Sequence, residues 1–117
     1  MNSTKSNRDD NRRLENGRLV YYQQTASQDF WESVWARDVT PDYYRPFQAG
    51  SLFDFEKMFK RHLPKDGKIL EAGCGTSQLV VALRFNGYAC MGLDYAINAL
   101  RHARQIVGPL PLVAGDL

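Results

Sequence analysis

The chain has 117 residues, 44% of them hydrophobic and 24% charged, which is enough for one small domain with a real core and ordinary for a soluble globular protein. Its formal net charge of +2 is uneven: the first twenty residues carry five basic groups (Lys5, Arg8, Arg12, Arg13, Arg18) against three acids, and the rest balances at ten of each, so no large basic face argues for a nucleic-acid partner. No apolar run is long enough to span a bilayer, no secretory pattern opens the chain, and the two cysteines, Cys74 and Cys90, suit a reducing, cytoplasmic compartment rather than a disulfide framework.

Residues 1–18 are polar and without period, with Leu14 their one apolar side chain after Met1, and read as a disordered tail. Residues 19–50 form an aromatic-rich segment. Ser27 is placed to cap a helix over 28–36, in which positions 30, 31, 34 and 35 share one face. Thr40-Pro41-Asp42 reads as a turn, and Arg45-Pro46 as a second break. Residues 51–63 are a helix candidate, with Phe55, Met58, Phe59 and His62 at helical spacing. Strands follow over 68–72, 88–94 and 110–116, separated by helices over 77–85 and 97–107. This alternation predicts an α/β fold, a βαβαβ unit with a parallel sheet and right-handed crossovers.

Ligands of such sheets bind beyond the carboxyl ends of the strands. There the chain reads ILEAGCGTS over 69–77. Gly73 and Gly75 permit a tight turn and a close backbone approach. The following helix is expected to present free N–H groups suited to a carboxylate or phosphate. A plain strand-to-helix turn is the simpler reading of the glycines by themselves. Asp94 ends the second of these strands, 19 residues after Gly75, and Asp116 ends the third, 22 residues after Asp94. Three carboxylates would then line one edge of the sheet, where a core has no use for them. The dinucleotide fingerprint fails at its last position, which is Gln78, and no Gly-Lys-Ser/Thr follows as in a phosphate loop. Glu71 would repel a pyrophosphate and suits a ligand with a positive group. Two scattered histidines and two cysteines do not make a metal site.

Taken together, ILEAGCGTS, GLDYA (92–96) and AGDL (114–117) resemble the three motifs of class I S-adenosylmethionine-dependent methyltransferases. FWESVW resembles the aromatic segment that precedes their core. The resemblance covers residues 27–117. It implies S-adenosyl-L-methionine as cofactor and a Rossmann-like three-layer α/β/α parallel sheet. It implies cofactor contacts from Glu71, Gly73, Cys74, Gly75, Asp94, Tyr95, Asp116 and Leu117. Within it, Glu71 meets the methionine part, Asp94 the ribose, and Asp116 the adenine. The implied reaction is in-line transfer of the sulfonium methyl to a small-molecule or protein acceptor. Ser77 departs from the family, which has a third glycine there. Its hydroxyl is expected to cap a backbone N–H.

A complete domain of this family resembles a seven-stranded sheet in the order 3-2-1-4-5-7-6. The chain is accordingly expected to supply only the first half, strands 1–3 within residues 51–117, with weak cofactor binding at best by these residues alone. The catalytic and acceptor residues are then unassigned. Trp31 and Trp35 read first as part of an apolar face packed on the sheet. Together with Tyr21 and Tyr22 they are also candidates for a lid or an acceptor wall. Two other readings stand beside the methyltransferase. One is a nicotinamide- or nucleotide-binding oxidoreductase fragment. The other is a non-catalytic half-domain that pairs with a complementary chain or a further copy.

Overall fold

The computed structural model describes residues 12–21, 27–35 and 39–116. Its first element lies inside the stretch expected to be disordered. Strands β1 (Arg12–Glu15) and β2 (Arg18–Tyr21) pair antiparallel as a hairpin. Asn16 and Gly17 turn it with φ of 49° and 75°, the left-handed pair that a two-residue hairpin turn requires. The Asn-Gly dipeptide is the local signal, and the charged flanks obscure it.

Helix α1 (Gln28–Trp35) starts where expected. The Phe30 N–H donates to Ser27 Oγ (3.3 Å) and the Trp31 N–H to the Ser27 carbonyl (3.2 Å). None of its residues is buried. Helix α2 (Pro41–Gln48) runs through both positions expected to break the chain. Pro41 stands in the first turn, where the missing N–H costs nothing. Pro46 withholds a donor from the Asp42 carbonyl, on an exposed side where water serves instead. Tyr44 and Phe47 point inward and hold the helix against the body.

The helix expected over 51–63 is divided into a 3-10 turn, Phe53–Phe55, and α3, Glu56–His62. Of its supposed inner face only Phe59 packs on the core, while Phe55, Met58 and His62 are exposed.

The centre is the predicted βαβαβ unit: β3 (Lys68–Ala72), α4 (Gln78–Phe85), β4 (Ala89–Asp94), α5 (Ile97–Val107) and β5 (Leu112–Ala114). The strands are parallel in the order β3-β4-β5, with Ile69 opposite Cys90 and Gly92 opposite Leu112. Right-handed crossovers between strands in sequential order put both helices on one face, and burial agrees. Cys90 and Leu112 of that face join Val80, Val81 and Leu83 of α4, Leu100 and Ala103 of α5, and Tyr44 and Phe47 of α2 in one core. Helix α2 packs on α4 and α1 on α5.

The opposite face carries Leu70, Met91 and Val113, which are 54%, 37% and 47% exposed. The described residues therefore form a sheet with one helical layer, and the third layer of the expected α/β/α arrangement is not among them. What results is an α/β architecture, a three-stranded parallel sheet flanked by helices in a generic Rossmannoid arrangement. No helix among the described residues is long and apolar enough to cross a membrane.

Candidate functional site

The carboxyl ends of β3 and β4 meet at the glycine turn. Cys74 points into the sheet, so a Cβ on Gly92 would stand 2.7 Å from Cys74 Sγ and 2.9 Å from Leu112 Cδ2. A glycine in mid-strand is thus explained by the thiol beneath it. Burial pushes the Cys74 thiol up to about 11, opposed by the Ser77 hydroxyl and aided by the charges of Glu71 and Asp94. It is a packing group, and its contribution to any ligand is limited to backbone.

The turn is bound from below by β4. The N–H groups of Gly73 and Cys74 both donate to the Leu93 carbonyl (2.7 and 3.0 Å). The Gly75 N–H donates to Asp94 Oδ2 (2.7 Å), and Asp94 Oδ1 accepts the Ala96 N–H (2.8 Å). Asp94 is buried and holds the ends of two loops together. Each of its oxygens keeps a further lone pair. These amides are engaged internally, so the turn does not form a phosphate cradle.

The first turn of α4 also differs from expectation. Its Val80 N–H acts on the Glu71 carboxyl, so the strand's own acid stands near the helix end that was expected to be free. Glu71 Oε2 is buried with no hydrogen-bond partner. Burial pushes the Glu71 carboxyl up to about 7; the Val80 N–H opposes the rise and the charge of Asp94 adds to it. Ser77 does not cap. It is fully buried in the left-handed region (φ 66°) without a side-chain cap bond, and its hydroxyl points to Cys74 Sγ (3.5 Å). The conformation is the one glycine favours.

Two tyrosines that carry no motif clamp the turn from outside. Tyr44, fully buried, donates from Oη to the Thr76 carbonyl (2.7 Å). Tyr43 Oη donates to Gln78 Oε1 (2.8 Å) and lies 3.0 Å from Thr76 Oγ1, which also bonds Gln78. The tyrosine pair read as aromatic content only, because its partners lie more than thirty residues away.

A cavity of about 260 Å³ opens over the turn, lined by Trp31, Trp35, Gly73, Asp94 and Tyr95. Trp31 is 37% exposed and Trp35 is half-buried, so the reading of both as a face packed on the sheet is corrected: they are cavity walls. A Cβ on Gly75, whose φ is 54°, would lie 2.6 Å from Trp35 Cζ2. The second glycine therefore serves both the turn and the indole above it. At the rim, the charge of the neighbouring Asp116 carboxylate raises the Tyr95 phenol. Glu71 and Asp94 stand at the carboxyl ends of β3 and β4, whereas β5 stops at Ala114 and Asp116 follows it by two residues.

Tyr22 and Leu117 lie outside the described residues, and Tyr21 is described as the last residue of β2 by its backbone only. No cluster of His, Cys, Asp and Glu suited to a metal ion forms among the described residues. No protein family matches the chain, and neither a curated protein nor a solved structure does.

Proposed function

We propose that this cavity binds the nucleoside and the cationic end of S-adenosyl-L-methionine, and that the protein serves methyl transfer to a small-molecule or protein acceptor. The observation that carries the reading is the character of the site. It is acidic and aromatic: Asp94 with Trp31, Trp35 and Tyr95 in the lining, and no lysine or arginine beside them among the described residues. Aromatic faces and carboxylates favour a cation, and the engaged amides of the turn disfavour phosphate. Both features weigh against a dinucleotide.

Asp94 would hold the ribose hydroxyls with its remaining lone pairs, since it is already fixed by two N–H groups. Glu71, behind the lining residues, would suit a positive group. Its buried Oε2 lacks a partner, and its carboxyl holds a proton up to about pH 7, which a nearby cation would release. Gly73 in the lining would allow close approach, and Gly75 would do so once Trp35 moves off it. Asp116 and Tyr95 would border the adenine side, and Leu117 would flank it. Trp31 and Trp35 would keep water from the reacting centre. When bound, the cofactor supplies an electrophilic methyl group on sulfur, so the protein's part is mainly to position the acceptor.

An NMR titration of the ¹⁵N-labelled chain tests this. S-adenosylmethionine is expected to shift the Gly73, Gly75 and Tyr95 amides saturably, and Asp94→Asn to abolish the shifts. If NAD or ATP moves those amides and S-adenosylmethionine leaves them in place, the reading fails.

A further inference from the structure

Helix α5 has no cap of its own. Ala96 stands at its N-cap position and offers no side-chain hydrogen bond, yet the first-turn N–H groups need acceptors. Asp94 takes the Ala96 N–H. The Asn98 N–H reaches across 66 residues of sequence to Glu32 Oε1 of α1, at 3.4 Å. The other oxygen, Glu32 Oε2, is buried without a partner. A carboxylate in this place meets an unsatisfied donor and the positive end of the helix dipole together.

The same contact decides where the tryptophans stand. Helix α1 has eight residues and buries none of them, and a helix this short is marginal by itself. It packs on α5, and Trp31 and Trp35 project from it over the glycine turn. We propose that Glu32 is a latch: by capping α5 it holds α1 in place as a detachable wall of the cavity. Glu32 is a positioning residue, acting through the two indoles.

The size of the cavity suits such a movable wall. Its 260 Å³ is below the lower end, about 300 Å³, of pockets that take drug-sized ligands. With Trp35 against Gly75, an outward swing of α1 would widen the cavity for a cofactor of nucleoside size. Relatching over the bound molecule then excludes water. This purpose rests on the cofactor reading, whereas the latch itself does not.

Both tryptophans of the chain lie on α1, so intrinsic fluorescence reports on the wall alone. Acrylamide quenching is to be measured on the ligand-free wild type, Glu32→Ala and Glu32→Gln, with a thermal melt of each followed by far-UV circular dichroism. Glu32→Ala is expected to shift the docked-to-undocked ratio about fivefold, the effect of losing a cap worth about 1 kcal/mol. Its quenching then rises and its emission moves to the red, while the melt of the body changes little. Glu32→Gln keeps an acceptor oxygen without the charge and should fall between the other two. Quenching that is equal in all three overturns the latch, as does a rise that only tracks a collapse of the melt. Adding S-adenosylmethionine separates the two proposals. If the Glu32 series behaves as expected but the cofactor protects no tryptophan, the latch stands and the cofactor reading falls.

Discussion

The glycine turn and helix α1 border the same cavity but are held in opposite ways. Residues 73–77 are tied to β4 by three N–H groups, bound from outside by Tyr44 and underlain by a buried thiol. Helix α1 buries nothing and meets the body through a half-buried carboxylate and two indoles. One wall of the site is part of the core and the other rests on it. The difference separates two kinds of residue: those whose loss unfolds the protein, and those whose loss changes the cavity alone.

The largest expected effect breaks the fixed wall. Asp94→Ala strands the N–H groups of Gly75 and Ala96, and each stranded buried donor costs about 1–3 kcal/mol, so about 2–6 kcal/mol in all. Urea unfolding measures it, and a loss near zero would mean that water replaces the carboxylate. Next comes Gly92→Ala, which sets a methyl against Cys74 and Leu112 and should cost about 1–3 kcal/mol by overpacking. A double variant with Cys74→Ala should recover most of that, which a pair of melts would show.

A smaller effect comes from Glu71. The folded carboxyl keeps its proton to about pH 7 against an ordinary 4.5. The folded state therefore binds more protons across that window, and stability falls as pH rises from 4.5 to 7 and then levels off. Glu71→Gln should flatten this fall, read as a smaller difference between melting temperatures at pH 5 and pH 8. An unchanged difference would place the proton elsewhere. The smallest effect on stability belongs to the resting wall. Trp35→Ala should stay within about 0.5 kcal/mol of wild type, as surface changes do, while enlarging the cavity. A loss as large as that of Gly92→Ala would show that α1 belongs to the core after all.

The parallel unit was legible because its signals are local and agree with one another: short apolar strands, helical spacing, and glycines at the ends. The positions of Glu71 and Asp94 followed from strand ends, whereas Asp116 falls two residues beyond the end of β5. The hairpin at 12–21 was hidden in a charged stretch, although Asn16-Gly17 marks it. Pro46 misled because its missing donor falls on an exposed side of α2. The apolar spacing over 51–63 misled because Phe55 and Met58 stay exposed, with Phe55 against the Phe59 ring and not in the core. Tyr44 and Glu32 could not have been found, since each acts on backbone atoms distant in sequence.

By itself the sequence determined the order of the elements from β3 to β5, the parallel sheet, and the acids at the ends of β3 and β4, because periodicity and turn chemistry act over a few residues. The tertiary structure alone decided what those groups are free to do. Packing engaged the amides of the glycine turn, left one oxygen of Glu71 without a partner, and turned two tryptophans from an expected core face into the walls of a cavity. Long-range contacts choose which hydrogen-bonding groups remain open, and no local pattern records that choice.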